Sequence, residues 1–253
     1  MSAALQRVVV RMLHDPRFAG AVFAGASVPE LTDRERRMLL DTDPQAYRTD
    51  PYRRSRVLQS LIEEFTGSVA LASAGGGVGR VDAFLSSPAF HTAIQQRRSL
   101  ALAFGAWLGP RAPGVAEFET AVARARRWRR PRGPGLALAT GAQPVALPGG
   151  TLTRWQALRA RLGSDPLARL VAGGLDLDGL PGLSDTVEHW IAIREPDGST
   201  GLVGGAEGTH DLLDRARSPL PVVSYKAWLA DLGADPDTAD AVLQDLVTDG
   251  LLA

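Results

Sequence analysis

Four histidines, a run of spaced aspartates and a glycine-rich loop are the residues of this 253-residue sequence best suited to do chemistry. His14, His91, His189 and His210 could hold a metal or carry protons. None stands at ligand spacing from another, and no H-E-x-x-H pattern occurs. His189 and His210 flank a short extended segment and could meet in space, but two imidazoles without a third ligand make a poor metal site. Asp176, Asp178 and Asp185 lie in "GLDLDGLPGLSD". Alternating Asp suggests calcium, yet the further oxygen ligands and the closing Glu of a calcium loop are absent, so the segment reads as a surface turn. "SAGGGVGRVDAF" places Gly75, Gly77 and Gly79 after an apolar run, as a phosphate cradle would. The spacing is G-x-G-x-G, no Gly-Lys-Ser/Thr follows and no βαβ series surrounds it, so a helix–helix connector is the better reading. There is no cysteine, which removes disulfides, thiolate sites and a cysteine nucleophile, and no G-x-S-x-G elbow. The residues show no catalytic constellation, and the chain is expected not to be an enzyme and to carry no cofactor.

Charge is the next signal. The chain is formally neutral, but residues 1–133 hold 20 Arg against 12 carboxylates, and residues 134–253 reverse the balance. "RARRWRRPRG" packs Arg124, Arg126, Arg127, Arg129, Arg130 and Arg132 around Trp128. Arginines at a helix C-terminus complement the dipole and can simply be solvated. They can also hold the acidic half of the same chain or dock an acidic partner, with Trp128 as anchor. Arg53, Arg54 and Arg56 allow the same two readings.

These residues need elements to position them. Leu5, Val8, Val9, Met12 and Leu13 recur at helical spacing, and Pro16 closes that segment. Thr32 with Glu35 reads as a capping box, and Asp50-Pro51 as the start of a helix burying Leu58, Leu61, Ile62 and Phe65. Ser87-Pro88 opens a helix that is expected to run to Leu108, and one more covers about 114–128. After Gly135 the period changes. Leu136–Thr140 and Val145–Leu147 read as short strands, and helices follow near 152–162 and 165–172. "HWIAIREPDGSTGLV" reads as a hairpin turning at Glu195-Pro196-Asp197-Gly198. Helices near 207–217, 224–232 and 236–249 close the chain, the last ending at Gly250. The expected fold is α+β: an all-helical domain at 1–130 and a small α+β winged-helix-like domain at 131–253.

A winged-helix module raises DNA binding. The last helix would then enter the major groove, but its exposed positions are Asp235, Asp237, Asp240, Gln244, Asp245 and Asp249, without Arg or Lys. Nucleic acid is therefore not the expected partner of that module. A sheet with a free edge can instead accept an extended peptide by strand addition.

The C-terminal order, ending "ADAVLQDLVTDGLL", resembles the recognition element of ribosomally synthesised and post-translationally modified peptides (RiPPs), a winged-helix domain that binds precursor leaders. "LQRVVVRMLHDPRFAGAVF", "LTDRERRMLLDTDPQAYRTDPYRRSRVLQSLIEEF" and "SSPAFHTAIQQRRSLALAFGAWL" resemble the helical half of partner proteins of multinuclear non-heme iron oxidases, the methanobactin-type partner subunit among them. The resemblance implies a non-catalytic cytoplasmic subunit in RiPP biosynthesis. It would form a heterodimer with the oxidase, which carries the iron, and present the precursor peptide to it. It implies peptide binding along Thr200, Gly201, Leu202 and Val203, and on Asp237, Asp240 and Gln244. Docking of the oxidase is assigned to Arg53, Arg54, Arg56, Arg126, Arg127, Trp128 and Arg130. Val203→Pro is expected to remove a strand donor from the docking edge. The alternative is a transcription regulator whose basic half contacts DNA. No window is apolar enough to span a membrane.

Overall fold

Six short polar side chains set where helices begin. Ser2, Asp15, Ser87, Ser99, Asp165 and Asp235 each accept a hydrogen bond from the backbone N–H three residues on, satisfying a donor that the first turn leaves without a partner. Thr32 does the same, and Glu35 returns to the Thr32 N–H to complete the capping box. In the computed structural model, which describes residues 2–47, 51–74 and 77–253 (the side chains of 51–53 excepted), these starts sort the chain into an α+β fold.

The helices before the first strand are α1 (Ala3–His14), α2 (Pro16–Phe23), α3 (Asp33–Leu40), α4 (Pro51–Glu64), α5 (Thr66–Ala72), α6 (Gly79–Asp82), α7 (Pro88–Gln95), α8 (Leu100–Leu108) and α9 (Val115–Arg127). Then come β1 (Ala142–Gly149), α10 (Thr151–Leu162), α11 (Pro166–Ala172), β2 (Ser184–Arg194), β3 (Thr200–Gly205), α12 (Glu207–Arg215), α13 (Val222–Asp231) and α14 (Pro236–Thr248). The strands form one antiparallel sheet of order β1-β2-β3.

Two expectations fail for local reasons. Pro16 does not only close α1; with Asp15 as cap it opens α2, because proline at a first helical position gives up an N–H that would be unpaired anyway. The helix expected from Ser87 to Leu108 is broken. Arg97 takes a left-handed backbone (φ 51°), which stops α7, and Ser99 caps a new start at α8. The cap expected at Asp50 lies outside the described residues.

Contacts divide the chain into two compact units: residues 1–116 with 157–179, and residues 117–156 with 180–253. This differs from the single boundary expected near residue 130. The reason is α11, which packs on α4 and α5 and draws residues 157–179 into the first unit.

The first unit is helical. Leu5, Val8, Met12, Ala19, Val22, Val28 and Leu39 form one buried cluster. Phe65, Phe84, Phe90 and Phe104 form a chain of ring contacts at 4.9–5.5 Å between neighbouring centroids, within the range at which aromatic pairs attract.

The second unit is built on the sheet. Ile191 and Ala142 meet Leu212, Leu213 and Ala216 of α12 and its C-cap, with Tyr225, Leu229, Leu243 and Leu246 from α13 and α14. Burying each of the larger side chains contributes about 1.5–3 kcal/mol. The Tyr225 hydroxyl donates to the Leu136 carbonyl at 3.2 Å, and burial raises its pKa. Residues 136–139, expected as a strand, do not join the three-stranded sheet. They form isolated bridges instead, Leu136 with Leu220 and Leu138 with Leu252.

Candidate functional site

The hairpin turn is a mechanism written in four residues. Gly198 takes φ 86°, the Gly198 N–H donates to the Glu195 carbonyl, and Asp197 accepts from the Ser199 N–H at 2.8 Å. Glu195 N–H then donates to the Ser199 carbonyl at 3.0 Å, while Arg194 N–H turns the other way, to the Gly141 carbonyl at 2.9 Å.

Those two bonds fix the direction of every backbone group on β3. Partners alternate along an antiparallel ladder. Ile193↔Gly201 and Ile191↔Val203 are therefore the bonded pairs, and Thr200, Leu202 and Gly204 aim their N–H and C=O away from β2. β3 is the last strand of the sheet, so these groups line its outer edge. This corrects the role expected of Val203. Its N–H belongs to the inner ladder, and the outward donor at the middle of the edge is Leu202.

One face of this edge carries Thr200, Leu202 and Gly204 beside Arg194, Ala192 and Trp190 of β2. Arg126 Nε donates to Thr200 Oγ1 at 3.3 Å, and Arg194 Nη1 donates to the Arg126 carbonyl at 3.4 Å. At the far end Trp190 Nε1 donates to Glu188 at 3.2 Å, and a second oxygen of Glu188 accepts from the Gly150 N–H. The opposite face carries His189, whose ring lies 5.0 Å from that of His210 on α12. The two imidazoles thus do meet, as the sequence allows. His210 Nδ1 is 3.4 Å from Asp211, and among the described residues no group of three His, Cys, Asp or Glu could hold a metal.

The α14 residues differ in availability. Asp237 and Gln244 are exposed. Asp240 forms an ion pair with Lys226 of α13, and the Gln244 amide donates to Thr248 at 3.4 Å.

The arginines are largely occupied within the chain. Arg54 grips Asp82 with two nitrogens, at 2.9 and 2.5 Å, and donates to the His14 carbonyl. Arg56 is exposed, and the Arg53 side chain lies outside the described residues. Trp128 packs on the sheet core and donates its indole N–H to the Leu138 carbonyl at 3.3 Å. Arg130 donates to the Ala253 carbonyl at 2.7 Å and to the Gly135 carbonyl at 3.0 Å, and its own N–H to Thr140. Arg127 donates to the Ala123 carbonyl at 2.9 Å. The pKa of Arg124 is lowered by burial first and by the charge of Arg217 second, against the pull of Asp214. Within the block, half-buried Trp128 and Arg130 bond distant backbone of the second unit, while Arg124, Arg126, Arg127, Arg129 and Arg132 are exposed; nothing in the spacing announces the inward bonds, because their partners lie up to 123 residues away.

Elsewhere, His91 is buried and its pKa is lowered, by desolvation first and then by Arg11 and His14. Gly77 lines a cavity of about 380 Å³ in the first unit with Ala70, Ser73 and Leu170. The apolar run before it is helix α5, not a strand, so the phosphate-loop geometry does not arise; Gly75 lies outside the described residues.

No protein-family model matches the chain, and no curated protein shows significant similarity to it.

Proposed function

We propose that this chain is a non-catalytic partner subunit that grips a precursor peptide and presents it to a multinuclear non-heme iron oxidase. A sheet, a hairpin and three closing helices form a winged-helix-like module, and the peptide adds to it as a further strand. The observation that carries this reading is the outer edge of β3, where Thr200, Leu202 and Gly204 turn three backbone donors and three acceptors outward. Strand addition needs such a row and no chemistry from its host. Iron belongs to the oxidase in this reading, and this chain supplies the hold. The exposed Asp237 and Gln244 remain candidates for guest contacts. Of the arginines assigned to oxidase docking, Arg56 is the exposed one with no partner role inside the chain named above.

The DNA-regulator alternative draws no support from α14, whose sequence holds no basic residue, and phosphate binding needs cations. The test is co-expression with a candidate oxidase and its precursor peptide. A stable ternary complex is expected, and Leu202→Pro should release the peptide while the oxidase stays bound. If neither oxidase nor peptide is retained at micromolar concentration, the proposal fails.

A further inference from the structure

The outer edge of β3 is uneven in charge and in shape. At its Thr200 end, Arg126 and Arg194 bring two guanidiniums to one face of the edge. At its other end Gly204 has no side chain, and a Cβ placed there would meet the Trp190 ring at 3.8 Å. That is ordinary van der Waals contact, and Gly204 has no positive φ that would demand glycine. The glycine therefore leaves the indole uncovered toward the edge. Glu188 holds the indole N–H from the side away from Gly204, its other oxygen taking the Gly150 N–H, and so fixes the ring.

We infer that the guest of this edge is an extended peptide carrying an acidic residue and, four positions away, an aromatic or large apolar residue. This rests on the docking reading above and deepens it. A guest strand lies about 4.8 Å from β3, and its side chains alternate between faces. The residue beside Thr200 faces Arg126 and Arg194, so a carboxylate is favoured there. The residue beside Gly204 reaches across the missing side chain onto Trp190, so a ring or a large aliphatic group is favoured there. The residue between them sits beside Leu202 and is apolar. Thr200 and Gly204 are four apart in a strand of period two, so the guest residues are also four apart, whichever way the guest runs. The opposite sign is disfavoured at the Thr200 end, because a lysine there meets two cations.

The experiment uses the full chain and fluorescein-labelled Ser/Thr-based peptides holding Asp, Leu and Trp at positions i, i+2 and i+4, in both orders. Controls carry the same residues with Asp and Trp three apart, and Lys in place of Asp. Fluorescence anisotropy is expected to show binding of one order, weakened at least about tenfold in the three-apart control, where one side chain falls on the wrong face. Arg126→Glu should invert the preference between Asp and Lys, and Gly204→Val should remove the preference for Trp. Circular dichroism of each variant confirms that the fold is kept. Equal binding of the four-apart and three-apart peptides, with both lost in Leu202→Pro, overturns the pattern and leaves the docking edge standing. Binding untouched by Leu202→Pro overturns the docking edge itself. No binding of any of these peptides overturns the pattern, and the ternary complex then decides the docking reading separately.

Discussion

The two margins of the same sheet are opposites. On β1 the ladder turns Ala142, Pro144, Ala146 and Pro148 outward, by the alternation that Arg194 and Gly141 set. Two of those four are prolines and have no N–H to offer, and the Ala142 N–H is already given to Ala139. On β3 the outward residues are Thr200, Leu202 and Gly204, all with donors. Natural sheets blunt an exposed edge with proline or charge because an open row of donors recruits other strands. Here one margin is blunted and the other is left open, and leaving it open carries an aggregation risk that use as a binding surface would explain.

The comparison breaks first at the platform both margins share. Ile191 is 3% exposed at the centre of β2. Ile191→Ala is expected to cost about 2–5 kcal/mol, read by urea denaturation, and to disable both margins together. Next come two neighbouring substitutions that should behave differently. Val203→Pro removes a bond of the inner ladder and is expected to cost about 1–3 kcal/mol. Leu202→Pro takes no bond from the inner ladder and loses an outward donor with part of a half-buried side chain, so it should cost less than Val203→Pro, about 1 kcal/mol or below, while abolishing peptide binding. Equal destabilisation by the two would overturn the assigned direction of the backbone groups. Arg130→Ala loosens the segment leading into β1 by removing bonds to the Gly135 and Ala253 carbonyls. A loss of about 1 kcal/mol is expected in thermal melts, with peptide binding unchanged.

The smallest effect is acid sensitivity of the turn that launches β3. Hydrogen bonds from the Ser199 side chain first and its backbone second lower the pKa of Asp197. A depressed carboxylate stabilises the fold above its unfolded pKa and loses that contribution as pH falls through the folded value. Protection of the hairpin amides, expressed relative to intrinsic exchange at each pH, should therefore fall on acidification below the ordinary aspartate range, and Asp197→Asn should flatten the dependence.

Local signals carried well. The capping box at Thr32, the Glu195–Gly198 turn and the α14 stop at Gly250 (φ 69°) are each set by residues within a few positions of one another. Non-local pairings left no trace. β1 meets β2 across some forty residues, and nothing in Val145–Leu147 names its partner. Arg54 and Asp82 are 28 residues apart, and Trp128 looked like an interface anchor because its packing against Leu138 is invisible in sequence. The edge itself is half legible: the hairpin pattern marks residues 200–203, but which of them face outward depends on the hydrogen bonds from Glu195 to Ser199 and from Arg194 to Gly141. Gly204 and Trp190 matter as a cross-strand pair, which only the register reveals.

The return of residues 157–179 to the first unit decides how the polypeptide can be dissected. A single cut at residue 130 would strip α4 and α5 of α11 and deny the sheet its Trp128, leaving two ragged fragments. Expressing either part alone calls for an internal junction: the first unit keeps 157–179 with 117–156 replaced by a short flexible bridge, and the second begins at 117 with 157–179 replaced by one. Deletion mapping that trims from either end will therefore report lost folding where it means to report lost recognition.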